Sequence, residues 1–356
     1  MRQTIAAAAV LLLVGGSAHG QEPSFAPVVD SLIKTVIVPA HTEFTAAADA
    51  QAGRMAELCK TPSEATLAAA RTGFIDLVAK FAKVEPYRFG PARVENRIER
   101  LYFWPDRRGR GLRQVQGLLA KEDPSATDVA TLTGKSVAVQ GLPAFEFILF
   151  GTGSDALAGT EAPYRCNYGA AVAEAISAVA QAMEGEWRGS FAEVMRTAGS
   201  DNQAYRSDRE ALQDILQGAA EQLEFVKGFK LEAAVRGSPD EARPKRAPFW
   251  RANATLPAII ANLEATQSLL TEDLAGLLGE DEGLVNSADF ELNQAIRALS
   301  SLTEGDRTFA DLVADPDAHK RLSYAQLPVG AAHALFAQRI PGRLGMVAGF
   351  NALDGD

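Results

Sequence analysis

The chain has 356 residues, of which 47% are hydrophobic and 22% are charged, and this composition excludes a disordered or fibrous protein. Its formal net charge of −10 excludes a general nucleic-acid binder, because such proteins need a basic surface. Two cysteines and four histidines are too few for a zinc-finger array or a disulfide-rich miniprotein. The length suffices for two domains of ordinary size.

Residues 1–20 have the pattern of a secretory signal peptide. Arg2 supplies the positive charge, residues 5–14 are apolar, and Ala18-His19-Gly20 is a cleavage site of the small-x-small type. This apolar run is too short to span a bilayer, and no later stretch is long enough either. We therefore expect an exported, periplasmic protein whose mature chain has no transmembrane segment.

Helical patterns fill the rest of the chain, and alternating runs of β-branched residues are nearly absent. The first predicted helix bends near Pro39, and the second begins with Thr61 as its cap. Because short loops between long amphipathic helices are typical of antiparallel bundles, we predict an all-α protein of two packed helical-bundle domains, residues 21–200 and 201–356. Helices are predicted over residues 23–58, 62–81, 124–139, 143–150, 164–195, 207–229, 253–278, 287–302 and 316–340, with loops at 151–163 and 237–248.

The two cysteines, Cys59 and Cys166, have two possible states. In an exported protein they can form a disulfide, and the alternative is a pair of buried thiols. A disulfide would close a loop of roughly 100 residues and stabilise the fold by about 4 kcal/mol. We expect the disulfide, because an unpaired thiol is a liability outside the cytoplasm.

Arginines are concentrated between residues 88 and 113, in an otherwise acidic protein. Arg93, Arg97 and Arg100 are spaced at i, i+4 and i+7, which predicts that they share one face of a helix. This face is either exposed to solvent beside glutamates, or it points into an interface or pocket. In the second case it meets carboxylates or an anionic ligand.

Glu146 is the only charged residue between residues 141 and 151, a segment that is otherwise apolar. A carboxylate buried in such surroundings must be paired, hydrogen-bonded or protonated. We expect an arginine of the 88–113 stretch to pair with it; the alternative is a glutamate at the exposed edge of a buried helix. Pro143 suits the first turn of this helix, and Gly141 allows the chain to break before it.

Four passages of the chain resemble the imelysin family of exported bacterial proteins: residues 97–106, 141–151, 164–166 and 349–356. The resemblance covers nearly the whole mature chain. It implies an all-helical fold of two bundle-like domains, a ligand site near their junction and a link to bacterial iron uptake. The peptidase name of the family is associated with a Gly-x-His-x-x-Glu signature, whose His and Glu lie on one helical face and can share a metal.

The signature is incomplete in this chain. Gly141 and Glu146 match it, but Pro143 occupies the histidine position and offers no ligand atom. Glu146 alone is expected to bind a divalent metal only weakly. His41 is either a replacement ligand that reaches Glu146 through the fold or an ordinary helix histidine near Pro39.

We therefore expect a non-catalytic protein that binds a ligand, or a partner protein of the envelope or of iron uptake, where its two domains meet. The cofactor stays open, with iron or another divalent metal as the candidate. One alternative is a metal-dependent peptidase that uses Glu146 as ligand or base, and another is a structural protein of the cell envelope. The expected ligand site consists of Gly141, Pro143, Glu146, Arg93, Arg97, Arg100, Trp104 and Asp106.

Overall fold

The computed structural model describes residues 24–346, which form helices and loops but no β-strand. The all-α prediction and the packing of helical domains are confirmed. The predicted signal peptide and the passage at 349–356 lie outside the described residues. The helices are α1 (Ala26–Leu32), α2 (Val38–Lys60), α3 (Glu64–Val84), α4 (Arg97–Leu101), α5 (Arg110–Lys121), α6 (Val129–Leu132), α7 (Leu142–Phe150), α8 (Pro163–Arg188), α9 (Ser190–Arg196), α10 (Asp208–Glu224), α11 (Ala233–Val235), α12 (Thr255–Gln267), α13 (Glu272–Leu278), α14 (Gly283–Ser300), α15 (Phe309–Ala314), α16 (Pro316–Ala334) and α17 (Ile340–Arg343).

Short π-helical segments connect several of these helices. Ile33–Ile37 joins α1 to α2, Phe225–Glu232 joins α10 to α11, and Leu335–Arg339 joins α16 to α17. Each widens the helical turn by one residue and changes the direction of the side chains that follow; such segments are frequent at functional sites. Pro39, where the sequence predicts a bend, lies in the first turn of α2, directly after the first of these segments.

The structure corrects the predicted start of α3. Ser63 is the cap, not Thr61: the Ser63 hydroxyl accepts a hydrogen bond of 3.2 Å from the Thr66 N–H. In return, the Thr66 hydroxyl oxygen accepts a bond of 3.1 Å from the Ser63 N–H. This reciprocal pair satisfies two backbone donors that have no partner within the helix, so α3 begins at Glu64.

The continuous helix predicted over residues 124–139 is also wrong. Only the short α6 forms there, between 3₁₀ turns at Pro124–Ala126 and Val137–Val139. The side chains of Asp123, Asp128 and Ser136 each accept a hydrogen bond from a backbone N–H two or three residues ahead. Each therefore begins a new turn, which divides the segment.

The long helices form two groups. In the first group α2 packs against α3 and α8, and in the second α14 packs against α12 and α16, with α10 beside α16. Helix α12 also packs against α3 and so connects the two groups. The domain boundary suggested near residue 200 falls between α9 and α10 and stays a prediction. Cys59 of α2 and Cys166 of α8 form a disulfide, which confirms the expected pairing within the first group.

Aromatic contacts fix α7 against the loop that precedes α12. The Phe74 ring of α3 lies 5.7 Å from the Phe145 ring of α7 and 6.0 Å from the Phe249 ring, between centroids. The Phe249 ring also stacks on Tyr102 at 5.4 Å. These rings bring three distant parts of the sequence together, and the candidate site lies beside them.

Candidate functional site

A cavity of about 630 Å³ lies between segments from the two halves of the chain. Residues between 102 and 147 form one side, and residues between 228 and 251 form the other. Its wall is rich in aromatic rings, including those of Tyr102, Trp104, Phe147, Phe229 and Trp250. Cavities of a few hundred Å³ with mostly apolar walls are typical of small-molecule sites.

Glu146 of α7 lies in this wall and is 4% exposed, so the prediction of a buried carboxylate agrees with the structure. Its Oε1 accepts hydrogen bonds from the backbone N–H groups of Arg251 (2.8 Å) and Ala252 (3.1 Å). Its Oε2 lies 3.7 Å from the Arg251 guanidinium. Burial raises the pKa of Glu146, and Arg251 and the two N–H donors oppose this effect only in part.

The donors to Glu146 belong to a tight turn at residues 248–255. Phe249 and Asn253 both have positive φ, at 54°, so the chain reverses sharply between them. The Thr255 hydroxyl donates to the Pro248 carbonyl at 2.6 Å, and the Asn253 carboxamide bonds to the backbone of Arg307 and Phe309. These bonds hold the turn so that two successive N–H groups point at Glu146.

The prediction that an arginine of the 88–113 stretch pairs with Glu146 is wrong. Arg93 donates to the Arg88 carbonyl, Arg97 binds Glu186 at 2.7 Å, and Arg100 donates to Gln140. None of the three lines the cavity. The helix assumed for them is also missing, because Glu95 and Asn96 have positive φ and α4 starts only at Arg97. The three side chains therefore cannot share one helical face.

Most of the other expected site residues line the cavity, and one of them supports the helix that carries Glu146. Trp104, Asp106 and Pro143 line the cavity together with Glu146. The Asp106 carboxylate accepts hydrogen bonds from three backbone N–H groups at the start of α5, including those of Arg110 and Gly111. Asp106 therefore caps a helix through both of its carboxylate oxygens.

Gly141 does not line the cavity, and its role is steric. A Cβ atom at this position would overlap the carbonyl oxygens of Arg100 and Leu101. Glycine therefore allows the start of α7 to pack directly on the end of α4. This contact fixes the helix that carries Glu146, with Pro143 in its first turn as the sequence predicts.

A buried ion pair lies next to the cavity, and the sequence did not reveal it. Lys230, in the π-helical segment, is 0% exposed and donates to Glu85 Oε2 and to Asn262 Oδ1, both at 2.6 Å. Glu85 also accepts hydrogen bonds from Arg88 (2.8 Å) and Asn262 (3.0 Å). The Lys230 ammonium is 5.7 Å from the centroid of the Tyr102 ring, which lines the cavity.

Four cationic side chains belong to the cavity wall, and three of them lie against aromatic rings. The Arg251 guanidinium is 4.4 Å from the centroid of Trp250, Lys245 Nζ is 5.4 Å from the same ring, and Arg107 is 5.3 Å from Phe229. Arg246 is the fourth. Such contacts hold a long cationic side chain in place without neutralising its charge.

The family model for imelysin matches residues 37–336, which include the cavity and the helices around it. The chain belongs to the imelysin family. The matched range includes Gly141, Pro143 and Glu146 at the start of α7, the residues that resemble the Gly-x-His-x-x-Glu signature. No curated protein matches the sequence.

Two solved structures have the same fold as this imelysin family member. One is an imelysin-like protein from Psychrobacter arcticum, with 20% identity and a TM-score of 0.76, covering 92% of this chain and 97% of that chain. The other is a candidate iron-regulated protein A precursor from Parabacteroides distasonis, with 16% identity, a TM-score of 0.73 and the same two coverages. At these identities the comparison establishes the imelysin fold.

The side chains around Glu146 do not fit a divalent metal. Within residues 24–346, no three His, Cys, Asp or Glu side chains come close enough to hold a metal ion together. Pro143 supplies no donor, and Glu146 faces backbone N–H groups and Arg251. A metal cation there would have to displace these donors and approach a guanidinium.

His41 does not replace the missing signature histidine. It is completely buried in α2, where its Nδ1 bonds to the Ile37 carbonyl at 2.9 Å and its ring packs against Tyr87 and Trp187. Burial lowers the pKa of His41 to about 4, so the ring is neutral at ordinary pH. Its environment is that of a core histidine in the first helix group.

From residue 24 to residue 346, no helix combines the length and the apolar character needed to cross a bilayer.

Proposed function

We propose that this member of the imelysin family is an exported, non-catalytic binding protein that holds its ligand in the cavity between the two halves of the chain. The observation that carries the proposal is the composition of the cavity wall. It combines aromatic rings, cations and one buried carboxylate, and its described residues include no His, Cys or Ser that could act as a nucleophile or transfer a proton near neutral pH.

A role in iron uptake is part of the proposal. It is supported by membership of the imelysin family and by the name of one structural neighbour, the iron-regulated protein A precursor. Because the described side chains form no metal-ligand cluster, iron would reach this protein as cargo inside a complex that brings its own donor atoms. Export is supported by the pattern of residues 1–20 and by the disulfide between Cys59 and Cys166.

Blocking the cavity tests the proposal. Gly228 lines the cavity, and a Cβ atom placed there meets no atom within 4 Å, so a Gly228→Leu variant fills space without a backbone clash. Gly185 in α8 is equally open and lies outside the cavity, so Gly185→Leu is the matched control. Both replace a helical glycine by a better helix former.

The assay is growth of the native bacterium under iron limitation after deletion of the gene. We expect wild type and the Gly185→Leu variant to restore growth, and the Gly228→Leu variant to fail although it is exported in equal amount. Restoration by Gly228→Leu would contradict the proposal and favour a structural protein of the envelope. Zinc-dependent cleavage of casein by wild type that is lost in Glu146→Gln would instead establish the peptidase alternative.

A further inference from the structure

The charges of the cavity wall are unbalanced, and this imbalance indicates what the cavity binds. Arg107, Lys245, Arg246 and Arg251 carry positive charge, whereas Asp106 and Glu146 are the only acidic residues of the wall within the described range 24–346. The excess of two positive charges is notable in a chain whose net charge is −10.

The two carboxylates are engaged by the protein itself. Asp106 accepts three backbone hydrogen bonds at the start of α5, and Glu146 accepts two from the 248–255 turn while it faces Arg251. By contrast, Arg107, Lys245 and Arg246 are exposed and form no salt bridge with any residue between 24 and 346. These three cations are therefore free to bind an anion that enters from solvent.

Aromatic rings lie against two of these cations, Arg107 and Lys245, and provide the second part of the recognition. Trp104, Trp250 and Phe229 line the cavity. The Tyr102 ring also lines the cavity. A flat apolar group can stack on such rings.

We propose that the ligand of the cavity is an organic anion with an aromatic face, bound by Arg107, Lys245 and Arg246 through its charge and by the tryptophan rings through its face. This inference rests on the proposed binding function and specifies its ligand class. A phenolate or aryl carboxylate, free or in a metal complex, has the required chemistry. An inorganic anion lacks the ring, and a neutral aromatic molecule lacks the charge.

Two fluorescent probes with the same ring system separate these requirements. The anionic probe is 8-anilinonaphthalene-1-sulfonate, and the neutral one is N-phenyl-1-naphthylamine. The test variant is Arg107→Gln with Arg246→Gln. The matched control is Arg108→Gln with Arg243→Gln, because these two arginines are exposed neighbours that lie outside the cavity wall.

An exposed ion pair changes affinity by about two- to fivefold. We therefore expect the test variant to bind the anionic probe about 4- to 25-fold more weakly than wild type. The control variant should change this affinity less than about twofold. The neutral probe should bind both variants equally, which also shows that the cavity is intact, and inorganic sulfate should not displace the anionic probe at equal concentration.

The possible failures are distinguishable. If Gly228→Leu abolishes binding of both probes but the test variant binds the anionic probe as wild type does, the cavity is a binding site and the anionic ligand class is wrong. If sulfate competes as well as an unlabelled naphthalenesulfonate, the aromatic requirement is wrong. If Gly228→Leu changes the binding of neither probe, both this inference and the proposed function fail.

Discussion

Replacement of Lys230 by Met should lower the free energy of unfolding, because the buried ion pair between Lys230 and Glu85 stabilises the contact between the two halves of the chain. Lys230 is 0% exposed and Glu85 is 1% exposed, with 2.6 Å between Nζ and Oε2. The pair connects the end of α3 to the π-helical segment after α10, and Asn262 connects both residues to α12.

Removal of one partner from a buried ion pair costs about 3–5 kcal/mol, because the other charge stays buried without compensation. In Lys230→Met, Glu85 keeps its hydrogen bonds from Arg88 and Asn262. We therefore expect a loss of about 3 kcal/mol, at the lower end of that range. Glu85→Gln should cost a similar amount, because it leaves Lys230 with Asn262 as its main partner.

The double variant Glu85→Gln with Lys230→Met should cost much less than the sum of the single changes, since it buries no charge at this position. Urea unfolding followed by tryptophan fluorescence measures all three. At a denaturant slope of about 3 kcal/mol/M, a loss of 3 kcal/mol lowers the midpoint by about 1 M. Lys80→Met is the control, because Lys80 pairs with Glu43 near the surface and should cost about 1 kcal/mol or less.

Single effects that add up in the double variant to within about 0.5 kcal/mol would refute this reasoning, because the two residues would then act independently. A loss below about 1 kcal/mol in both single variants would also contradict it. In that case water would solvate the Glu85 carboxylate in Lys230→Met, and Lys230 would be neutral or hydrated in Glu85→Gln.

Further predictions concern the disulfide, the buried carboxylate and the glycine before α7. Replacing both Cys59 and Cys166 by Ala should reduce the free energy of unfolding by about 4–5 kcal/mol, because the disulfide closes a loop over a separation of 107 residues; a urea midpoint unchanged by the substitution would contradict this. Because the pKa of Glu146 is raised by burial, its contribution to stability is present below pH 4.5 and is lost as the pH rises through the folded-state pKa. Carboxyl groups with a lowered pKa, such as Asp30 and Glu43, act in the opposite direction in both proteins. The test is therefore the urea midpoint of wild type minus that of Glu146→Gln, which should fall between pH 4 and pH 7, and a rise of this difference would have the wrong sign. Gly141→Ala should destabilise the protein by about 1–3 kcal/mol through its clash with α4, whereas Gly117→Ala, which meets no neighbour, should be neutral or stabilising in the same assay.

The sequence predicted the all-α fold, the disulfide and the burial of Glu146, because each leaves a local signal. Helical periodicity indicates helices, a single cysteine pair in an export context indicates a disulfide, and an isolated acid in an apolar segment indicates a buried group. The ends of the helices were harder to predict from the sequence. Local hydrogen bonds from Asp123, Asp128 and Ser136 compete with the helix, and such competition is decided by small energy differences.

The partners of Glu146 could not be predicted, because they are backbone N–H groups more than 100 residues away. Every residue except proline has a backbone N–H, so the sequence does not indicate which N–H groups will bind a carboxylate. Phe249 has a positive φ that helps to orient these donors, but positive φ is usually predicted from glycine, and this position is not a glycine. One signal was available: Trp250 and Arg251 follow a basic, proline-rich loop directly. An arginine next to a tryptophan there was as good a candidate for an anion site as the 88–113 stretch.

The attachment of Glu146 to the 248–255 turn has a consequence for the entry and release of a ligand. Separating α7 from the turn would break two hydrogen bonds and a charge contact at once, so we expect the wall to stay closed between them. Arg107 and Arg246, by contrast, belong to the cavity wall and have exposed side chains. A protein with net negative charge repels anions on average, and the exposed cations of the cavity wall oppose this repulsion for an anion that approaches the cavity.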